Sequence, residues 1–257
     1  MESQSDYRNF KKLNMKISNI VLAGFFLFFG IAAEAQTADI SENKFKEKIE
    51  IPVDMGYLLY KPETYKKSKE DYPLIVFLHG AGERGTDLQK VKVNGPFQYL
   101  EDGNQIDAVI LAPQCPAETY WQPDEVAALV KKIIKEERID PNRVYLTGLS
   151  MGGYGTWATG GKHPELFAAM APVCGAIYRP IYRNAQHLKN MPIWVFHGAM
   201  DDVVLPENSN KMVMALRQTG NEEVKFTIYP FANHNSWTET YNNPEFYKWL
   251  LNQKKEK

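Results

Sequence analysis

The segment "VYLTGLSMGGYG", Val144 to Gly155, places one serine among four glycines directly after an apolar run. An apolar run of strand length comes first, and a stretch that can form a helix follows Ser150. Gly148 and Gly152 flank this serine, where a sharp turn brings strand and helix backbones too close for side chains. The pattern predicts a strand, a strained turn at Ser150 and a helix. Any turn accepts glycine and serine, so the pattern alone does not establish a nucleophile.

Six continuous apolar runs indicate the strands of one sheet. Runs that are apolar on both faces are typical of parallel strands covered by helices on both sides. Ahead of them, Lys46–Asp54 and Met55–Tyr65 alternate in polarity and predict an opening hairpin. The six runs are Tyr72–Gly80, Asp107–Gln114, Arg143–Ser150, Phe167–Gly175, Met191–Ala199 and Val224–Pro230.

Helical patterns separate several of these strands. Pro123–Glu137 places apolar residues on one face and lysines on the other. Asn208–Gly220 ends at a glycine, and Asn243–Gln253 has a proline suited to its first turn. The alternation predicts an α/β fold with a mostly parallel central sheet and helices on both faces. The segment from Gly175 to Met191 is short, so we expect little or no cap domain.

The N-terminal segment predicts a signal peptide. Three lysines precede the apolar stretch Ile20–Ala33, and Ala33-Glu34-Ala35 is a small-residue cleavage site. The stretch has about 14 residues, fewer than the roughly 20 that a bilayer span needs, so we expect no stable membrane anchor. A start at Met15 would give a compact leader. We expect residues 1–35 to be removed and a single domain, residues 36–257, to be secreted or periplasmic.

The composition excludes some partners. The 257 residues include 30 basic and 31 acidic side chains, so the charges give no basic footprint for nucleic acid. Cys115 and Cys174 could form one bridge or remain two buried free thiols. No group of histidine, cysteine and aspartate has the spacing of metal ligands, and we expect neither a metal nor an organic cofactor.

Polar residues follow several predicted strands at the sheet edge where ligands bind in such folds. Ser150, Asp201 and His234 follow three different runs. A serine hydroxyl needs a base within hydrogen-bond reach and a third group that orients the base. We therefore predict Ser150 as nucleophile, His234 as general base and Asp201 as orienting acid. Asp202 is an alternative acid, because either aspartate could instead accept hydrogen bonds from turn amides.

An acyl-transfer site also needs donors for the oxyanion of its tetrahedral intermediate. The amide of Met151, directly after the predicted nucleophile, is one candidate. The second is the amide of Ala81 in "LHGAGERG", with Gly82 close behind. Small residues in that loop allow backbone N–H groups to face the site. These two amides are the predicted oxyanion hole.

For four further residues near strand ends, the sequence gives weaker evidence of a role in the site. Trp121 and Trp237 are candidates for substrate binding, although tryptophans at such positions serve equally well in packing. His79 and His197 each precede a glycine at the end of a strand. We expect their imidazoles to brace loops.

These blocks together resemble a known superfamily. From about Tyr72 to the C-terminus, the chain is similar to α/β-hydrolases of the carboxylesterase, phospholipase and dienelactone hydrolase type. The resemblance implies the α/β-hydrolase fold, the same three catalytic residues and the same oxyanion hole. Asn233 is a departure, because relatives often have glycine before the catalytic histidine. The blocks, in order, are "LHGAGERG", "APQCP", "GLSMGGYG", "FHGAMDDVV" and "HNSWTETYNNPEFYKWLL".

The function expected from these residues is that of a secreted serine esterase. It would hydrolyse carboxylic esters through an acyl-enzyme, on a small-molecule or polymer-linked substrate such as acetyl or feruloyl esters of polysaccharide. Three alternatives share the fold: a serine peptidase of the prolyl oligopeptidase type, an acyltransferase, and a non-catalytic binding module.

Overall fold

A seven-stranded sheet lies at the centre of the protein, in the order β1-β3-β2-β4-β5-β6-β7. The strand β1 pairs antiparallel with β3, and all other neighbours in this sheet are parallel. The mostly parallel sheet predicted from the sequence is confirmed. The strands are β1 (Tyr57–Tyr60), β2 (Tyr72–Leu78), β3 (Val109–Pro113), β4 (Ile139–Leu149), β5 (Ala169–Val173), β6 (Ile193–Gly198) and β7 (Val224–Tyr229).

The computed structural model describes residues 42–47 and 52–255. The predicted leader, residues 1–35, and the predicted start of the domain at residue 36 lie outside these ranges. Residues 51–257 form one compact unit. Within the described ranges, no helix combines the length and the apolar character needed to cross a bilayer.

Helices cover both faces of the sheet. Alternate residues of β2 belong to two apolar clusters: Leu74, Val76 and Leu78 to one, and Ile75 and Phe77 to the other. The first cluster includes side chains of α3, α4 and α6, and the second includes side chains of α2 and α8. The helices are α1 (Glu63–Lys67), α2 (Pro96–Glu101), α3 (Pro123–Glu136), α4 (Met151–Lys162), α5 (Arg179–Arg183), α6 (Glu207–Gln218), α7 (Trp237–Tyr241) and α8 (Pro244–Leu251).

Two predicted elements differ from the structure. The second half of the predicted hairpin is the strand β1, but it pairs with β3 through Tyr57↔Pro113 and the following residues. Part of the hairpin's first half lies outside the described residues. The strand β4 begins at Ile139, before the apolar run, and its pairing with β2 shifts register between Tyr72 and Leu74. The polar residues in this first part of β4 hid the early start from a search for apolar runs.

The crossing of α4 over the sheet is the closest backbone approach that concerns the site. A Cβ added at Gly152 would lie 1.8 Å from the carbonyl oxygen of Leu78. A Cβ at Gly148 would lie 2.5 Å from the carbonyl oxygen of Gly152. Since these obstacles are backbone atoms, they cannot rotate away. The two glycines that flank Ser150 therefore allow the helix to begin directly against β2.

We expect Gly152→Ala to lower the free energy of unfolding by more than the roughly 1–3 kcal/mol typical of overpacking, because its methyl group would meet main chain. Gly82→Ala is the matched control, since a Cβ there meets nothing within 4 Å. Urea unfolding of both variants measures the difference. Equal stability of the two variants would contradict the close approach.

Candidate active site

Ser150 lies between β4 and α4 in a strained backbone conformation. Its φ is 54° and its ψ is −114°, a combination that L-residues rarely adopt. The Ser150 amide donates to the carbonyl of Val173 at 3.0 Å, and its carbonyl accepts from the amide of Tyr154 at 3.0 Å. These bonds to β5 and to the first turn of α4 hold the strained residue in place. This geometry is the one that the sequence segment around Ser150 predicted.

The structure brings Ser150, His234 and Asp201 into one hydrogen-bonded row. His234 Nδ1 lies 2.8 Å from Asp201 Oδ2. A carboxylate only accepts, so Nδ1 carries the hydrogen and Nε2 is left as an acceptor. Ser150 Oγ lies 2.8 Å from this Nε2 and donates to it. The imidazole is thus oriented by an acid on one side and faces the serine hydroxyl with a free lone pair on the other.

Asp201, not Asp202, faces the histidine. Its side chain is buried, and its Oδ1 accepts from the amides of Val203 at 3.0 Å and Val204 at 2.8 Å. Asp202 is exposed. The turn after β6 therefore directs one aspartate inward and the other to solvent.

The two predicted oxyanion donors lie in the loops after β2 and β4. Met151 is the first residue of α4, so its amide has no acceptor within the helix. Ala81 begins a 3₁₀ turn, Ala81–Glu83, directly after β2 and Gly80. Arg84 holds this turn by donating from Nε to the carbonyl of Ala81 at 3.0 Å and from Nη1 to the carbonyl of Thr119 at 3.2 Å. The loop that carries Ala81 is thus fixed by its own side chains.

His79 and Trp121 lie beneath the Ala81 loop. His79 Nδ1 donates to the carbonyl of Gly80 at 2.6 Å, and its Nε2 accepts from the amide of Cys115 at 2.9 Å. Burial lowers the pKa of His79, which favours this neutral form. Trp121 is 1% exposed and donates from its indole to the carbonyl of His79 at 3.1 Å. His79 braces the loop as expected, and the burial of Trp121 favours packing over substrate contact.

Trp237 lies beside the candidate base. Its ring meets the imidazole of His234 edge to face, with centroids 5.3 Å apart. Its indole donates to Asn94 Oδ1 at 3.1 Å, and Asn94 Nδ2 donates to Glu83 Oε1 at 2.8 Å. The chain of contacts links the histidine loop to the turn that carries Ala81. Asn94 carried no sequence signal, because it reaches Trp237 across 143 positions of the chain.

Asn233, the departure from the family pattern, fits the loop before His234. Its side chain accepts from the amide of Asn235 at 3.2 Å, which closes a local turn. A Cβ at Gly198 would lie 2.3 Å from the Asn233 carbonyl oxygen, so this loop passes directly against the end of β6. The asparagine is therefore compatible with the position of His234.

The thiol of Cys174 lies behind the row. Among the described residues, Cys174, Asp201 and His234 are the one group whose ligand atoms lie within 4.8 Å of one another. Burial raises the pKa of Cys174 to about 12, so the thiol is protonated at neutral pH. The other two groups already share a hydrogen bond. Cys115 and Cys174 are both buried and free.

A family model matches the part of the chain that holds these residues. The model of the prolyl oligopeptidase family matches residues 119–178 and 176–256, together just over half of the chain. The chain belongs to the prolyl oligopeptidase family. The matched region contains all three residues of the hydrogen-bonded row.

Relatives of this family member have more than one activity in their names. A bifunctional acetylxylan esterase/xylanase of Neocallimastix patriciarum is 29% identical over 143 residues, covering 51% of this chain and 20% of that protein. Dipeptidyl aminopeptidase A of Saccharomyces cerevisiae is 23% identical over 251 residues, covering 75% of this chain and 27% of the relative. The chain thus spans only about a fifth to a quarter of the length of these relatives.

Solved structures confirm the α/β-hydrolase fold predicted from the sequence. A thermostable esterase is 36% identical with a TM-score of 0.66, covering 79% of this chain and 60% of that chain. A ferulic acid esterase is 16% identical with a TM-score of 0.58, covering 76% of this chain and 92% of that chain. The second likeness concerns the fold alone.

We expect Trp237→Phe to lower kcat by roughly 3- to 10-fold, the effect of one neutral hydrogen bond, because it frees Asn94 while keeping a ring against His234. Trp194→Phe is the matched control. Its indole donates to Thr227 Oγ1 at 2.9 Å near the start of β6, at the opposite end of the strand from Asp201. Steady-state ester hydrolysis measures both variants. An equal loss of kcat in the two variants would contradict a role for the Trp237–Asn94–Glu83 contacts in catalysis.

Proposed function

We propose that the protein is a serine esterase that hydrolyses carboxylic esters through an acyl-enzyme. The observation that carries the proposal is the continuous row from Ser150 Oγ to His234 and on to Asp201, with both contacts at 2.8 Å. A backbone at positive φ presents this hydroxyl next to the first amide of α4, that of Met151, which has no acceptor within the helix. Nucleophile, base, orienting acid and oxyanion donor then meet at one point.

The reaction follows from these positions. Ser150 Oγ attacks the ester carbonyl carbon while His234 Nε2 takes the hydroxyl proton. The amides of Met151 and Ala81 stabilise the oxyanion, and Asp201 supports the positive charge that forms on the imidazole. The C–O bond then breaks, and His234 gives its proton to the leaving alcohol. Water, activated by His234, attacks the acyl-enzyme, releases the acid and restores the serine.

For the substrate we propose an ester carried on a polymer, such as an acetyl or feruloyl group on polysaccharide. The segment between β5 and β6 forms just α5 and one 3₁₀ turn, so within residues 52–255 this segment supplies no cap domain over the site, which favours bulky substrates. Large apolar side chains are exposed in loops after β3, β5, β6 and β7, the edge that carries the site. Exposed apolar groups in such a position favour contact with an aromatic or apolar ligand. They are Tyr120, Tyr178, Met200, Val203 and Phe231.

Support for an ester also comes from the relatives, since an acetylxylan esterase and a 36%-identical thermostable esterase are among them. The family match favours a second candidate, peptide hydrolysis by the same three residues. Amide and ester substrates pass through the same tetrahedral geometry, so the site residues serve either reaction. Only the substrate that the protein turns over distinguishes an esterase from a peptidase here.

The test is a panel of 4-nitrophenyl acetate, butyrate and longer esters, methyl ferulate, acetylated xylan and peptide 4-nitroanilides. We expect turnover of esters, and a loss of roughly 10³-fold or more for Ser150→Ala. Turnover of the anilides alone would favour the peptidase. Equal, slow hydrolysis by wild type and variant would rule out both.

The matched pair Asp201→Asn and Asp202→Asn tests the acid. We expect about a 10⁴-fold loss of kcat for Asp201→Asn, because the amide can donate to His234 and favour the wrong tautomer. Asp202→Asn should change kcat by less than about 3-fold, since its side chain is exposed. The reverse pattern would transfer the role to Asp202.

We also propose that the protein is exported after cleavage behind Ala35. The lysines, the apolar stretch and the small-residue site support this, and a relative from Arthroderma benhamiae is named an uncharacterized secreted protein. The measurement is the N-terminal mass of the protein expressed with its leader. A chain that begins at Gln36 is expected, and a chain that retains residues 15–35 would contradict export by this route.

A further inference from the structure

His197 is a fully buried histidine in β6 that contacts the candidate acid. Its Nε2 lies 3.1 Å from Asp201 Oδ2 and 2.7 Å from the carbonyl oxygen of Val204. Its Nδ1 lies 2.7 Å from Ser209 Oγ on α6. The imidazole thus fills the space between the acid, the turn that follows it and a helix.

The partners of His197 determine where its hydrogen lies. A carbonyl and a carboxylate both only accept, so Nε2 must carry the hydrogen and donate to them. Nδ1 then accepts from the hydroxyl of Ser209. Burial lowers the pKa of His197, which keeps the ring neutral with this single N–H. The buried imidazole therefore presents a single fixed N–H, which is shared between the carbonyl of Val204 and Asp201 Oδ2.

Four donors surround the carboxylate of Asp201. The amides of Val203 and Val204 serve Oδ1, and His234 and His197 serve Oδ2. With both oxygens engaged from different directions, the carboxylate cannot rotate without breaking a contact. The N–H of His197 also stabilises the negative charge of the carboxylate. The carboxylate therefore attracts the proton of His234 less strongly than it would without this donor.

We propose that His197 is a positioning residue. It fixes the Asp201 carboxylate and weakens the stabilisation that this carboxylate gives to protonated His234. The proposal rests on the proposed function, because it assigns His197 a role in that site. It goes beyond the bracing role expected from the sequence. The Nε2–H of His197 acts through Asp201 and does not touch the substrate.

A change in this donor has a defined effect on the pH dependence. Without it, the full carboxylate charge acts on His234, so the protonated imidazole is favoured and the acidic limb of the rate profile moves to higher pH. Among the described residues, the other titratable group at this point is the Cys174 thiol. Burial raises its pKa to about 12, so it stays neutral across the acidic limb. Ser209 and Val204 do not titrate there.

The matched variants are His197→Gln and His197→Asn. A glutamine amide reaches the position of Nε2 and can donate to Asp201, whereas the shorter asparagine reaches only the position of Nδ1 and contacts Ser209. For His197→Asn we expect kcat to fall roughly 10- to 100-fold, the effect of a hydrogen bond to a charged group. We also expect the acidic midpoint to rise by about half a pH unit to one unit, with KM within about 2-fold. In His197→Gln, kcat and the acidic midpoint should both return most of the way to the wild-type values.

Ser209→Ala is the control for packing around the ring. It removes the partner of Nδ1 but keeps the donor at Nε2, so the acidic midpoint should stay where it is. An additional readout, the low-field proton resonance of His234 Nδ1–H, needs no substrate. It should shift in His197→Asn and return in His197→Gln.

If the acidic midpoint and the His234 Nδ1–H resonance keep their wild-type values in both His197→Gln and His197→Asn, the positioning role is overturned. A loss of rate in His197→Asn without a shift in midpoint or resonance would make His197 a packing residue and would overturn it too. If wild type hydrolyses no ester but the resonance shifts as expected, the proposed function fails while the contact with Asp201 stands.

Discussion

The site depends on the close crossing of α4 over β2 and β4. Because a Cβ at Gly152 would meet the Leu78 carbonyl oxygen at 1.8 Å, the helix can begin there only with glycine. This crossing forces Ser150 into a positive φ and places the Met151 amide at the open end of the helix. The loops after β2, β6 and β7 then converge on a hydroxyl whose position is set by backbone, not by side-chain packing. The strain at one residue is maintained by the packing of the whole sheet.

The apolar runs predicted the sheet, because parallel strands that are covered on both faces appear in the sequence as unbroken runs of apolar residues. They placed β2, β3, β5, β6 and β7 within a few residues of their observed ends. The start of β4 was missed because its first residues are polar. The edge strand β1 was found, but its partner was not, since pairing between distant segments leaves no local pattern.

The three residues chosen by their order along the chain are the ones that the structure brings together. The sequence favoured Asp201 but left Asp202 as an alternative, because the choice depends on which side chain accepts from the turn amides. It also could not reveal Asn94 or the contact of His197 with Asp201. Both depend on tertiary contacts of residues that, in the sequence, have ordinary loop or strand-end surroundings.

Covalent labelling tests whether Ser150 is the activated nucleophile of an esterase. A fluorophosphonate probe reacts with a serine only where a base has activated the hydroxyl. After incubation of the intact protein and peptide mapping by mass spectrometry, we expect one adduct, on the peptide that contains Ser150. We also expect labelling to be strongly slowed in His234→Ala. No adduct, or an adduct on another residue at the same rate in both proteins, would contradict the role of Ser150 as nucleophile.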